Sequence, residues 1–246
     1  MTHIRRNQIL STLEPNKIVD MYQGQATKTI PRLVAADQAI LSCRDIMEER
    51  VNFWNSDLWK KRVENKKLFK EDYQERMKWL GTRRWIEKGE FSTGDVFLIN
   101  SRGKIKIATN CEKLEDINKK TRLLNGYYLR LEDDTFDKTQ GQEFTEEEVE
   151  SFITKETLEN PIWQILVQGD LGLLKEYTEI LKAQYKCCNN SLMPIIYSPR
   201  RAGKETIGVC DLGIPRFGSG IYLNTPINKR SIFLGKPRKL ERELNE

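Results

Sequence analysis

Basic side chains and a glycine are concentrated in residues 198–208, SPRRAGKETIG. A phosphate-binding P-loop has the pattern G-x-x-x-x-G-K-[ST], and the hydroxyl after its lysine holds Mg²⁺. Here Gly203-Lys204 is followed by Glu205, and Ser198 occupies the position of the first glycine. The segment also connects two predicted strands, whereas a P-loop leads from a strand into a helix. We therefore expect the loop of a β-hairpin and no nucleotide cradle.

The C-terminal part of the chain mixes cations with aromatic residues. Residues 198–242 contain ten basic and three acidic side chains, a net charge of +7. Nucleic-acid surfaces use this mixture because cations neutralise phosphates while rings stack on bases. The predicted contact residues are Arg200, Arg201, Lys204, Arg216, Phe217, Lys229 and Arg230. The pattern predicts a protein that holds the phosphate backbone of DNA or RNA. The alternative is that the rings lie in the core and the cations form a solvated face.

Charge is segregated along the whole chain, although the net charge is only +5. Residues 60–84 carry +6, and residues 132–159 carry −9. Such blocks are more informative than the total. The acidic block could meet the basic C-terminal segment, either within the chain or in a neighbouring copy. Contact with a neighbouring copy would make the chain a structural or assembly subunit of a viral or multi-protein particle. Self-association or binding to other protein subunits is therefore the second functional hypothesis.

Acidic side chains at the start of the negative block could bind a metal ion. Clustered carboxylates gather Mg²⁺ in enzymes that cleave phosphodiesters. The candidates are Glu132, Asp133, Asp134 and Asp137. No E-x-K sequence follows an aspartate on a predicted strand, and acidic loops are usually solvated. A carboxylate-dependent nuclease is thus the third hypothesis.

The only histidine, His3, lies near the N-terminus. Catalytic triads, cysteine–histidine dyads and most transition-metal sites require an imidazole inside the fold. The sequence therefore favours a non-enzymatic role, with no catalytic residue, no metal site and no cofactor.

The five cysteines, an odd number, show no C-x-x-C spacing, so neither a disulfide framework nor a zinc site is indicated. The sequence also contains no apolar run long enough to cross a membrane, and MTHIRRNQIL lacks the apolar stretch of a signal sequence. We expect a soluble, cytoplasmic protein with reduced thiols and no membrane partner.

Two amphipathic helices are predicted in the N-terminal region. The first carries an apolar stripe at steps of three and four residues, formed by Leu33, Ala36, Ile40, Cys43, Met47, Val51 and Trp54. The second is expected over residues 57–80, after the capping residues Asn55, Ser56 and Asp57. The two helices should form a helical hairpin.

The middle of the chain combines a β-hairpin with capped helices. The segments DVFLIN and KIKIAT flank Ser101-Arg102-Gly103, and residues 127–131 predict a third strand. An acidic, loop-like stretch should follow. Helix starts are then indicated by the capping-box spacing of Thr145 and Glu148, by Asn160-Pro161 and by Asp170.

The C-terminal part predicts short antiparallel strands at 192–197, 206–211, 219–223 and 231–234, separated by glycine-containing turns. Helices, a hairpin, more helices and then strands are the segregated order of an α+β fold. We expect a helical region over 1–90 and an α+β region over 91–246, or one domain overall.

Overall fold

The computed structural model describes residues 20–55, 90–185, 193, 195–197, 203–213 and 220–238. The strands are β1 (Asp20–Gln25), β2 (Gln38–Ile40), β3 (Phe91–Ile99), β4 (Ile105–Ala108), β5 (Leu129–Arg130), β6 (Ile195–Tyr197), β7 (Thr206–Gly213), β8 (Gly220–Thr225) and β9 (Arg230–Pro237). The α-helices are α1 (Ala26–Ala35), α2 (Cys43–Asn55), α3 (Asp133–Lys138), α4 (Glu146–Phe152), α5 (Pro161–Leu166) and α6 (Leu171–Tyr185). Short 3-10 helices cover Glu112–Leu114 and Thr157–Glu159. The fold is α+β, as predicted.

One mixed sheet contains all nine strands, in the order β1-β9-β3-β7-β8-β6. In addition β2 pairs with β9, β4 with β3 and β5 with β7. The sheet thus takes β1 and β2 from before residue 90 and its other strands from after it. Most pairs are antiparallel, but β6 pairs with β8 in parallel and β3 meets β9 in parallel at one register position.

Apolar clusters cover both faces of the sheet. Along β3, Phe97 and Ile99 belong to the first apolar cluster, on one face of the sheet, and Val96 and Leu98 belong to the second, on the other face. This alternation follows from the two-residue period of a strand. Helices α2 and α6 pack on the first face, and α1 packs on the second. The central strand is therefore buried on both sides.

A buried arginine joins three elements within the first cluster. Arg50 of α2 is completely buried, and its Nη1 donates a hydrogen bond to the Tyr177 hydroxyl on α6 at 2.7 Å. The guanidinium carbon also lies 5.5 Å from the centroid of the Phe91 ring on β3. A polar group at this depth requires such partners.

The long helix predicted from Leu33 to Trp54 is wrong, because a strand divides it. Helix α1 ends before Asp37, whose φ of 55° leaves the helical region. Residues 38–40 then pair with β9, and α2 begins only at Cys43. Ile40 therefore keeps helical spacing while lying in a strand. The second predicted helix, 57–80, and hence the helical hairpin, fall outside the described residues.

Several local predictions are confirmed. Strands β3 and β4 form the predicted hairpin, and Gly103 has a φ of 77° in its turn. Thr145 and Glu148 form a reciprocal capping box at α4. The Asn160 side chain accepts from the Ile162 amide at 3.0 Å, and Asp170 accepts from the Leu173 amide at 3.0 Å.

Three further expectations are corrected. The acidic stretch after residue 131 contains the helix α3 where a loop was expected. Strand β6 pairs with β8 in parallel, so residues 198–208 are not the loop of a hairpin between β6 and β7. The N-terminal strand β1, which pairs with β9, was not predicted at all.

Among the described residues, no helix combines the length and apolar composition that a membrane crossing requires. The described cysteines Cys43, Cys111 and Cys210 are unpaired thiols. Burial raises the pKa of the Cys43 and Cys210 thiols well above the ordinary range.

Candidate nucleic-acid interface

Four cations lie on the surface segment that leads into and along β5. Lys119, Lys120, Arg122 and Arg130 are all exposed, and residues 118–131 contain no acidic side chain. Within the part of the chain that the structure describes, none of the four forms an ion pair. We call these four residues the cationic strip. Their charge is not neutralised by a neighbouring carboxylate and so remains accessible to an anion.

The first half of the cationic strip is held by a local polar turn. Asn118 Oδ1 accepts a hydrogen bond from the Lys120 amide at 2.9 Å, and the Asn118 amide donates to Thr121 Oγ1 at 2.8 Å. Just before this turn, Leu114 and Ile117 are buried in the second apolar cluster. Lys119 and Lys120 are therefore carried by an anchored turn.

A tight turn between Leu124 and Tyr128 presents an aromatic ring in the same surface segment as these cations. Asn125 and Gly126 have φ angles of 50° and 76°, and the Leu124 amide donates to the Tyr128 carbonyl at 2.7 Å. An Asn-Gly pair is suited to these two positive φ angles. The turn leaves Tyr127 53% exposed while its neighbour Tyr128 is only 3% exposed.

The turn at residues 226–229 holds the Tyr127 backbone in place. The amides of Ile227 and Asn228 donate to the Tyr127 carbonyl at 2.8 and 3.3 Å. Asn228 Nδ2 also donates to the Gly126 carbonyl at 3.3 Å, and Thr27 Oγ1 donates to Asn228 Oδ1 at 3.3 Å. The exposed ring is thus carried by a backbone with long-range support.

Lys229, predicted as a phosphate contact, forms ion pairs within the fold. Its ammonium lies 3.0 Å from Glu90 Oε1 and also pairs with the Asp211 carboxylate. Asp211 is completely buried, and burial raises its pKa although Lys229 opposes this shift. Burial lowers the pKa of Lys229, but its carboxylate partners outweigh that effect and raise the pKa overall. Removing Lys229 from this pair would leave a buried carboxylate without its cation.

Lys204 is the predicted contact residue that the fold brings next to the cationic strip. Its side chain is exposed, and Thr206, two residues later, pairs with Arg130 in the sheet. The Leu131 amide also donates to the Glu205 carbonyl at 2.9 Å, so the two chain segments are joined at this point. Lys204 and Arg130 therefore lie at the same end of the β5–β7 pair.

Of the other five predicted contact residues, the structure describes one. Arg230 begins β9, where its backbone pairs with Gln25. The remaining four, Arg200, Arg201, Arg216 and Phe217, lie outside the described residues and stay predictions.

Three of the acidic candidates for a metal site each contact a different side chain on the surface. Asp133 accepts from Ser101, and these hydrogen bonds lower the pKa of its carboxyl. Asp134 pairs with Lys138 at 2.9 Å, and Asp137 pairs with Arg102 at 3.2 Å. Across the described ranges, no group of three or more histidine, cysteine, aspartate or glutamate side chains is arranged to hold a metal ion.

Sequence reasoning did not identify the cationic strip or Tyr127. The available signal was a run with four cations and no acid around an Asn-Gly turn, in residues 118–131. The sequence pattern predicts a strand over residues 127–131 of this run and no binding surface. The support from Ile227 and Asn228 lies about a hundred residues away in sequence and had no local signal.

Comparisons with family models, with curated proteins and with solved structures find no match for this chain.

Proposed function

We propose that this protein binds the phosphate backbone of a nucleic acid through the cationic strip. The observation that supports the proposal is the exposure of Lys119, Lys120, Arg122 and Arg130 without any acidic partner among the described residues. Cations that neutralise phosphates release condensed counterions, which favours binding without requiring a particular base sequence. Lys204 extends the same surface beyond Arg130.

This surface differs from described cations that already have partners within the fold. Lys138 and Arg102 are paired with carboxylates, and Lys106 is buried against backbone carbonyls. A phosphate would have to compete with those partners, whereas at the cationic strip it competes only with water and salt ions. The strip is therefore the best candidate for the first phosphate contacts.

The test is the variant Lys119→Ala, Lys120→Ala, Arg122→Ala. Three lost phosphate contacts should change the slope of log affinity against log salt by about 2 to 3 units, because each contact contributes roughly 0.9 on duplex DNA and 0.7 on single strands. The measurement is oligonucleotide binding by fluorescence anisotropy between about 50 and 200 mM salt, because log affinity falls linearly with log salt. The unfolding midpoint should barely move, since exposed substitutions usually cost within about 0.5 kcal/mol.

A control variant removes the same charge elsewhere. Lys138→Ala, Lys155→Ala, Lys175→Ala neutralises three exposed lysines on α3, on the segment after α4 and on α6. It should keep most of the parent salt slope. Equal loss in the two variants would show that only net charge matters, and absence of binding by the parent at about 50 mM salt would remove the proposal. Loss of self-association in the first variant, with an unchanged salt slope, would favour the assembly hypothesis instead.

A further inference from the structure

We infer that Tyr127 is a stacking platform for an unpaired base, so that the cationic strip selects single-stranded nucleic acid. This inference rests on the proposed function and specifies its ligand class.

The Tyr127 ring is open to solvent. Tyr127 is 53% exposed, more than the other exposed large hydrophobic residues of the described chain, Leu171 at 45% and Ile196 at 42%. It is also the only aromatic residue of those three. An aromatic face in water is available to a base face, and such stacking accepts any base because every base has a π-face.

Hydrogen bonds within the chain hold the Tyr127 backbone without any ligand. The Tyr127 amide donates to the Leu124 carbonyl at 2.9 Å, and its carbonyl accepts from Ile227 and Asn228. A pre-ordered backbone lowers the entropy that binding must otherwise remove. Tyr127 therefore has two of the properties of a platform, an exposed ring and a held main chain.

The turn at residues 226–229, which supports the Tyr127 backbone, is itself held by the fold. Ile227 is completely buried, and the adjacent Lys229 is held by Glu90 and Asp211. Asn228 is tied to Thr27 on α1. The turn that supports Tyr127 is thus connected to α1, to β7 and to Glu90 immediately before β3.

The four cations of the cationic strip flank Tyr127 in the sequence. Lys119, Lys120 and Arg122 precede Tyr127, and Arg130 follows it. A single strand can place phosphates on the cations while one of its bases leaves the stack and lies on the ring. In a duplex the base faces are already stacked on one another, so only the phosphate contacts remain. The surface should therefore prefer single strands.

The neighbouring tyrosine has a different role. Tyr128 is buried, and its hydroxyl lies 3.5 Å from the Asn224 carbonyl. Its ring belongs to the first apolar cluster. Of the adjacent pair, only Tyr127 presents a face to a ligand.

The experiment uses the full chain with a single-stranded oligonucleotide of about 12 nucleotides, a length within the site sizes of single-strand binding surfaces. Tyr127→Leu removes the ring but keeps apolar area, and Tyr127→Phe keeps the ring. We expect Tyr127→Leu to lose about 5- to 150-fold in affinity, which corresponds to one stacked base. Tyr127→Phe should bind as the parent does. The salt slope should stay the same in the two variants, because neither substitution removes a charge.

Three controls make the outcome specific. Leu171→Ala, which removes another exposed apolar side chain, should bind as the parent does. The duplex of the same sequence, and an abasic strand with the same number of phosphates, should bind the parent and Tyr127→Leu equally. If Tyr127→Leu binds the single strand as tightly as the parent, or if it weakens binding to the abasic strand to the same degree, the inference is wrong.

The proposed function and this inference can fail separately. Loss of affinity in the variant Lys119→Ala, Lys120→Ala, Arg122→Ala, together with no effect of Tyr127→Leu, would retain the phosphate contacts and overturn the stacking platform. Binding of the parent to phosphatidylserine vesicles, without binding to any oligonucleotide, would overturn the inference and the proposed function together.

Discussion

Asp95 lies on β3 with its carboxyl group completely buried. It accepts hydrogen bonds from the Cys43 amide at 2.7 Å, at the start of α2, and from the Asn110 amide at 3.1 Å. Burial raises its pKa to about 7, and these hydrogen bonds only partly oppose that effect. One side chain therefore joins a central strand to a helix and to the segment after β4, and its charge changes near neutral pH.

The raised pKa of Asp95 predicts how stability changes with pH. In the unfolded chain the carboxyl ionises near pH 4, and in the folded chain it ionises near pH 7. Between these values the folded state binds more protons, so its stability should fall as pH rises from about 4 to about 7. At about 1.4 kcal/mol per pKa unit, the effect of this group is on the order of a few kcal/mol.

The variant Asp95→Asn tests this prediction because its side chain stays neutral. Its free energy of unfolding, relative to that of the parent, should increase between about pH 4.5 and pH 8, as measured by urea denaturation at several pH values. Asp137→Asn is the control, since its side chain is exposed in the folded and unfolded states alike. A constant difference between Asp95→Asn and the parent across this range would contradict the prediction.

At the scale of the elements, α3 depends on a lysine from the sheet. Lys106 of β4 is 5% exposed, and its ammonium donates to the carbonyls of Phe136 and Thr139, each at 3.0 Å. It also lies 4.5 Å from the centroid of the Phe136 ring. These carbonyls belong to the C-terminal end of α3, where the helix dipole favours a cation. Lys106 thus fixes α3 against β4.

Replacing Lys106 with methionine should destabilise the protein by about 1 to 3 kcal/mol, because the helix-end carbonyls lose a charged donor in a buried place. The measurement is the free energy of unfolding in urea. Lys138→Met is the matched control: Lys138 is on α3 itself, its side chain is 79% exposed, and its ion pair with Asp134 should contribute little. Equal effects of the two substitutions would show that Lys106 does not hold α3 through these carbonyls.

The elements that could be predicted from sequence are those with local signals. Thr145 and Glu148, three residues apart, contain all the information for the start of α4. Gly103 similarly marks the β3–β4 turn. Ile40 shows why other elements could not be predicted: it continues a helical stripe, yet pairing with Gly235 of β9, far along the chain, places it in a strand.

The candidate site also combines features with local sequence signals and features that depend on distant parts of the chain. The charges of the cationic strip are visible in the sequence, and the Asn125-Gly126 turn has a local signature. The support of Tyr127 by Ile227 and the ion pair of Lys229 with Asp211 arise only when distant segments meet. The sequence thus shows the charges of the candidate surface, whereas the geometry that holds Tyr127 required the fold.

At the scale of the whole molecule, strand β9 connects the two ends of the described chain. It lies between β1 and β3 in the sheet and also pairs with β2. Its Phe233 is completely buried and belongs to the same apolar cluster as Ile30 and Leu33 of α1. The N-terminal segment therefore supplies part of the core around the C-terminal strand.

This arrangement predicts that residues 91–246 do not fold independently. Without residues 1–90, β9 loses its pairing with β1 and β2, and the first apolar cluster loses Met47 and Trp54 of α2. A sheet edge and two apolar faces would be exposed together, at roughly 25 cal/mol per Å² of apolar surface. Thermal unfolding of the fragment, followed by circular dichroism, should lack the cooperative transition of the full chain.

Adding residues 1–90 as a separate chain should restore part of that transition, because the missing strands and helices can then pair with the sheet. An unrelated protein of similar charge is the control for nonspecific effects. If residues 91–246 alone unfold cooperatively and with the stability of the full chain, then β1, β2, α1 and α2 are not required for the core. Residues 91–246 would then form a unit that is stable by itself.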